Sequence, residues 1–257
     1  MRRHEEDSEG DVELQTIVDR YAEGLAAVDA STAVQKFNQR TGAAYPVSVK
    51  SLGEREAVAA VDDWWALTYP QEFTPPPNMH AVPYAYPGLQ GAECDHAFTT
   101  DSLGGAPEWA IEVKKPELIG NNGKRNDYVV AKMLSPYLKD RGLLHDVVRL
   151  RDQGLGRRRA VLGYSFNYDA ASCAVARRLH PADVATIREI EKVVALNDGS
   201  LTIEPLLAFC NGILHTRNLV VGGMARANFQ AWRGPYAGEG IVFAWEISDA
   251  PGPRHPW

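Results

Sequence analysis

Apolar residues recur at helical spacing between residues 12 and 28, where Leu14, Ile17, Val18, Tyr21, Leu25 and Val28 share one face, and this predicts a first amphipathic helix. A second helix is predicted over about 52–67. Ser51 followed three residues later by Glu54 is a capping-box signature, and Ala57, Val58, Val61, Trp64 and Trp65 supply an apolar face. Thr74-Pro75-Pro76-Pro77-Asn78 breaks the period and reads as loop. From 90 to 115 the period changes to two: 93–99 and 108–114 alternate as strands, and the second ends at Pro116. The turn-rich stretch 101–107 between them predicts a hairpin. Helices are expected over about 126–139, 143–152 and 182–196, with a β-branched and aromatic strand at 160–168. The last sixty residues read as mostly β, with strands at 201–210, 213–222 and 240–247. This order predicts an α/β fold with a mixed sheet. A helical segment (1–50), a core (51–200) and a β-rich C-terminal extension (201–257) are expected to form one continuous domain.

Composition changes little in this picture. With 45% apolar and 23% charged residues the chain is of ordinary globular type. No apolar run approaches the ~18 residues of a membrane span, and the acidic N-terminus lacks the apolar core of a signal peptide. Cys94, Cys173 and Cys210 are odd in number and far apart, which supports neither a disulfide framework nor a zinc ribbon. A cytoplasmic, reduced protein is therefore expected.

Charge matters more once it is divided along the chain. The formal net charge is −6, and residues 1–30 alone account for it, with nine acids against three bases. Residues 114–159 carry twelve bases against five acids, a local basic stretch of the kind phosphate binding requires. A solvated helix face would carry the same signature.

Beside that stretch lies a chemically unusual strand. Alternation places Glu112 and Lys114 on one face, while Trp109, Ile111 and Val113 point into the opposite layer. If the hairpin forms, Asp95 on the preceding strand lies beside Glu112. Two carboxylates and a lysine then converge, which is the chemistry of phosphodiester hydrolysis: carboxylates hold Mg²⁺, and the lysine orients or deprotonates water and stabilises developing charge. About one Asp/Glu-x-Lys match is expected by chance in such a chain, so the weight rests on the strand context. A surface ion pair on an edge strand is the plain alternative.

Asp95, then Glu112-Val113-Lys114 seventeen residues later, with a helix before and a basic helix after, resembles the PD-(D/E)XK nuclease superfamily, the fold group of restriction endonucleases. The resemblance covers roughly residues 50–170. It implies a restriction-endonuclease-like α-β-β-β-α-β core, Mg²⁺ dependence, Asp95 and Glu112 as metal ligands, and Lys114 next to the attacking water. Cys94 stands where the motif has proline. Members often add an acid from the preceding helix. Glu54 shares a face with Val58, Val61 and Trp65 and fits that role, whereas Glu56 points with Asp63 to solvent; capping by Ser51 is the competing use of Glu54. The resemblance further implies a homodimer acting on double-stranded DNA, most simply a type II restriction enzyme. A repair or phage-defence nuclease recognising modified or structured DNA would use the same residues. A DNA-binding protein that does not cleave, and an unrelated metabolic enzyme, remain alternatives.

Lys124, Arg125 and Tyr128 begin the helix after the active strand and are candidate DNA-backbone contacts. Arg157-Arg158-Arg159 is a second candidate grip. Asn228, Gln230 and Arg233 carry side chains that read base edges, although a packed hairpin loop has the same composition. His96 is expected in the core and Lys115 at the periphery.

Overall fold

The computed structural model describes residues 12–72, 84–98, 107–124, 126, 128–179, 196, 198–231 and 239–249. Two long helices open the chain, α1 (Leu14–Ser31) and α2 (Glu54–Thr68). Both bury the faces their spacing predicts: Ile17, Val18, Tyr21 and Leu25 on the first, Ala57, Val58, Val61 and Trp65 on the second. The start of α2 differs from expectation. Gly53 is the N-cap, and its N–H donates to the Glu56 carboxylate at 2.8 Å, so the box lies two residues later than Ser51 and Glu54. Ser51 instead belongs to a 3-10 turn (Val49–Ser51) and donates to the Pro46 carbonyl. Glu54 is thereby released from capping.

Two short strands, β1 (Tyr84–Ala85) and β2 (Glu93–Cys94), pair antiparallel as a separate ribbon. The main sheet has five strands in the order β3-β4-β5-β7-β6. These are β3 (His96–Phe98), β4 (Trp109–Lys114), β5 (Arg158–Asn167), β6 (Val220–Gln230) and β7 (Glu239–Ile247). The expected hairpin is present: β3 and β4 are antiparallel, with His96 opposite Ile111 and Phe98 opposite Trp109. The stretch 93–99 is nevertheless not one strand, because the chain leaves one sheet and enters the other at Asp95.

β4 and β5 are parallel, so a crossover must join them. It is made by α3 (Tyr128–Leu134), a 3-10 turn (Leu138–Asp140) and α4 (Leu143–Gln153). Gly154, with φ 59°, ends α4 in the left-handed conformation. Pro136 sits between α3 and the turn, where the sequence suggested one helix over 126–139. α1 packs on β6 and β7 and α2 on β4, while α4 packs on β4, β5 and β7. His96, opposite Ile111, stacks against Trp65 of α2 and meets Tyr21 of α1 edge-on. The helix pair therefore covers the Trp109/Ile111/Val113 face, and α4 covers the other. β4 is buried along its whole length, as expected of a strand covered on both sides.

The C-terminal part corrects the sequence reading. After α5 (Ala170–Leu179), the residues expected as strands at 201–210 and 213–222 form instead α6 (Glu204–Thr216) followed by β6. Pro205 lies in its first turn, where the missing N–H costs nothing, and Leu206, Leu207, Cys210 and Leu214 are buried at helical spacing. The expected helix over 182–196 lies outside the described residues apart from Leu196. The architecture is α/β with a five-stranded mixed sheet. Among the described residues no helix is long and apolar enough to cross a membrane.

Candidate active site

The site grows from the polar face of β4. Glu112 and Lys114 are almost completely buried, at 1% and 6% exposure, and charges so placed require partners. Glu112 accepts a hydrogen bond from the Tyr86 hydroxyl at 2.6 Å and pairs with Arg149 Nη2 at 2.6 Å. The same nitrogen lies 2.9 Å from Asp146 Oδ1. Lys114 Nζ lies 2.7 Å from Asp146 Oδ2, donates to the Val113 carbonyl at 3.1 Å and stands 3.7 Å from Glu54 Oε1. One continuous polar chain thus runs Tyr86–Glu112–Arg149–Asp146–Lys114–Glu54. Asp146 and Arg149 come from α4, three residues apart on one helix face. Tyr86 comes from the β1–β2 ribbon, whose pairing brings it over Glu112.

Asp95 joins at the break between β2 and β3. Continuing the β3–β4 register sets it opposite Glu112, and directly opposed residues share a face. Its Oδ2 accepts the Val113 N–H at 2.9 Å, so a side chain replaces the ladder bond lost at the break. Glu54 makes a matching contact two residues further along the chain, accepting the Lys115 N–H at 2.8 Å. Asp95, Glu112, Lys114 and Glu54 are therefore brought together, the last by an α2 start that leaves its carboxylate available.

The electrostatics of this cluster are lopsided. Burial pushes the Glu112 carboxyl well above the ordinary range, Asp146 and Asp95 push it further, and Arg149 and Lys114 oppose. Burial opposes the charge on Lys114, but Asp146, Glu54, Asp95 and Glu112 outweigh it and raise its affinity for the proton. Lys114 is therefore an ammonium at neutral pH. Burial and the Glu112 charge hold the Tyr86 phenol protonated, which keeps it a donor.

Four carboxylates (Asp95, Glu112, Asp146, Glu54) face two cations (Lys114, Arg149). If all are ionised the cluster has a formal deficit of two positive charges. Among the described residues no group of three or more His, Cys, Asp or Glu side chains is arranged ready to hold a metal ion. The donor chemistry nevertheless fits a hard divalent cation, since every acceptor is a carboxylate oxygen. A positive group, the Arg149 guanidinium, already lies between Glu112 and Asp146.

The remaining candidates are placed less centrally. Lys115 braces the 3-10 turn before α2, donating to the Lys50 and Leu52 carbonyls and pairing with Glu117 at 3.0 Å. His96 is buried and pairs with Asp62 at 3.0 Å. Lys124 is exposed, and Tyr128 is half-exposed at the start of α3, its hydroxyl donating to the Asp140 carbonyl at 2.9 Å. Arg125 and Arg233 lie outside the described residues. Asn228 and Gln230 are exposed on β6, three strands away from β4, or about 14 Å at ordinary strand spacing. Asn228 is engaged there by Glu239 at 3.0 Å. Much of the basic stretch is used internally: beyond the bases of the site, Arg151 pairs with Asp152, Arg158 with Glu246 and Glu13, and Arg159 with Asp249.

Tyr86, Asp146 and Arg149 were not singled out in the sequence. The only available signal was an acid and a base three apart on a helix whose other face is apolar. Comparisons with protein-family models, curated proteins and solved structures returned no match.

Proposed function

We propose that this chain is a Mg²⁺-dependent endonuclease of the PD-(D/E)XK type acting on double-stranded DNA, most simply as a homodimeric type II restriction enzyme. The observation that carries the reading is the convergence of Asp95, Glu112 and Lys114 on one face of the β3–β4 pair, with Glu54 arriving from α2. Asp95 and Glu112 would hold the cation. When bound, Mg²⁺ neutralises charge building on the phosphate and lowers the pKa of the attacking water. Lys114, kept charged by Asp146 and Glu54, orients that water and stabilises the phosphorane-like charge rather than acting as a base. Tyr86 fixes the Glu112 rotamer, and Asp146 fixes Lys114. Lys124 and Tyr128, at the end of the β4–α3 connection, would meet the DNA backbone. Asn228 and Gln230 belong to a separate surface, three strands from β4, that would serve base reading.

The test is incubation of plasmid DNA with the protein in Mg²⁺ and in EDTA, for wild type, Asp95→Ala and Lys114→Ala. Cleavage into discrete bands that needs Mg²⁺ and is lost in both variants is expected. Cleavage surviving both substitutions would end the assignment, and activity confined to modified or branched DNA would favour a repair or defence nuclease. One observation favours a second reading, a DNA-binding protein that does not cut: Arg149 already neutralises two of the acids. Binding without cutting across metals and substrates would select it.

A further inference from the structure

We propose that the Arg149 guanidinium is an internal occupant of the cation site, so that a divalent cation and Arg149 exclude one another from the space between Glu112 and Asp146, and that Asp146 is a metal ligand beyond the recognised motif. This rests on the metal-dependent reading of the site. The geometry supplies the argument. Arg149 Nη2 contacts carboxylates from two different elements, Glu112 of β4 at 2.6 Å and Asp146 of α4 at 2.9 Å. A single nitrogen taking one oxygen from each of two acids occupies the place a bridging cation takes. The guanidinium is incompletely used: its buried Nε has no hydrogen-bond partner among the described residues, whereas a structural arginine normally spends its planar fork on paired acceptors. The group also sits against the Tyr86 ring, 4.9 Å from its centroid, and its side chain keeps 22% exposure, so it has a route out toward solvent.

Lys114 makes a different use of the same acid. It holds Asp146 Oδ2 at 2.7 Å, the oxygen that Arg149 leaves free of its own 2.9 Å contact with Oδ1. A cation entering between Glu112 and Asp146 would therefore displace Arg149 and leave Lys114 in place. Two buried carboxylates, with Asp95 across the strand pair from Glu112, then provide oxygen donors from β4, α4 and the β2–β3 break. The displaced arginine would stand at the mouth of the site, where a substrate phosphate offers a bidentate partner.

The experiment measures Mn²⁺ binding by electron paramagnetic resonance on metal-stripped full-length protein. The proteins are wild type, Arg149→Met, Arg149→Lys, Lys114→Met and Asp146→Asn. Apparent affinity scales with the fraction of molecules whose site is open, so with Arg149 withdrawn ~10% of the time Arg149→Met binds about tenfold tighter than wild type. Lys114→Met removes the same charge from the same cluster without opening that space, and its gain is expected to be several-fold smaller. Asp146→Asn binds more weakly than wild type. Arg149→Lys keeps the charge and serves if Arg149→Met does not fold; its shorter side chain carries the charge less far into the space between the two acids, so it too binds Mn²⁺ more tightly.

Unchanged or weaker binding in the Arg149 variants overturns the exclusion, as does an equal gain in Lys114→Met, which would reduce the effect to net charge. Unchanged binding in Asp146→Asn removes Asp146 from the ligand set. The nuclease reading fails separately, on plasmid cleavage: a site whose Mn²⁺ affinity rises in Arg149→Met but which cuts nothing keeps this inference and loses the activity.

Discussion

Glu112→Gln removes a charge that burial and two neighbouring acids disfavour, and its effect has a definite sign. Glu112 is 1% exposed, so its environment needs no discount for solvent screening. Burial, then Asp146 and Asp95, raise its folded pKa well above the ordinary value of 4.5. A group with a raised folded pKa contributes stability that is complete below its unfolded pKa and is lost as pH rises through the folded value. Wild type should therefore lose stability relative to Glu112→Gln as pH rises from about 5. Glutamine keeps an acceptor for Tyr86 and leaves Arg149 its contact with Asp146. One proton corresponds to at most about 1.4 kcal/mol per pH unit, or about 2.7 kcal/mol between pH 5 and 7. At roughly 2–4 °C per kcal/mol for a chain of this size, the gap in Tm opens by up to about 5–10 °C. The assay is thermal unfolding of both proteins in EDTA at half-unit pH steps. Titrating groups outside the cluster are common to the two and cancel in the difference. Added Mg²⁺ should stabilise wild type and leave Glu112→Gln nearly unmoved. Parallel Tm curves, or a variant that loses ground to wild type as pH rises, would show that Arg149 and Tyr86 fully solvate the charge and would refute the reasoning.

Three further outcomes are expected. Tyr86→Phe removes a 2.6 Å hydrogen bond to a buried carboxylate and should lower stability by about 1.5–3 kcal/mol in chemical denaturation, with cleavage losing kcat rather than KM. Gly163→Ala drives a methyl group from the centre of β5 into the Phe243 ring, an overpacking that should cost about 1–3 kcal/mol and be relieved by Phe243→Leu in a double-mutant cycle. Glu56→Ala should destabilise by about 0.5–1 kcal/mol, because the Gly53 N–H at the start of α2 loses its acceptor. Glu54→Ala, with the acid that sequence spacing favoured for capping, should leave helix content unchanged by circular dichroism.

The sequence carries the frame of the site better than its interior. α1, α2 and β4 were legible because one buried face per element leaves a period in the chain, and the β3–β4 hairpin because turn residues separate two alternating runs. α6 was misread: a run such as Leu206-Leu207-Ala208-Phe209-Cys210 is apolar enough for either structure, and Pro205 was the signal that favoured a helix start. Gly53 caps through its backbone, which leaves no side-chain mark, so the sequence points to a box two residues too early. Glu112 and Lys114 were visible through strand alternation alone. Tyr86, Asp146 and Arg149 were not, since they reach Glu112 and Lys114 through tertiary packing of a ribbon and a crossover helix, and no local period encodes which helical ion pair will be buried against a strand.

The tie between Asp95 Oδ2 and the Val113 N–H has a bearing on how such a protein changes over generations. It fastens the first acid directly to the strand that carries the other two motif residues. The spacing among the three is then set by backbone pairing and one side-chain bond. The segment joining residues 98 and 107 can lengthen, shorten or acquire new composition without disturbing that spacing. Insertions there would vary the surface beside the cluster, while the cluster itself is inherited unaltered.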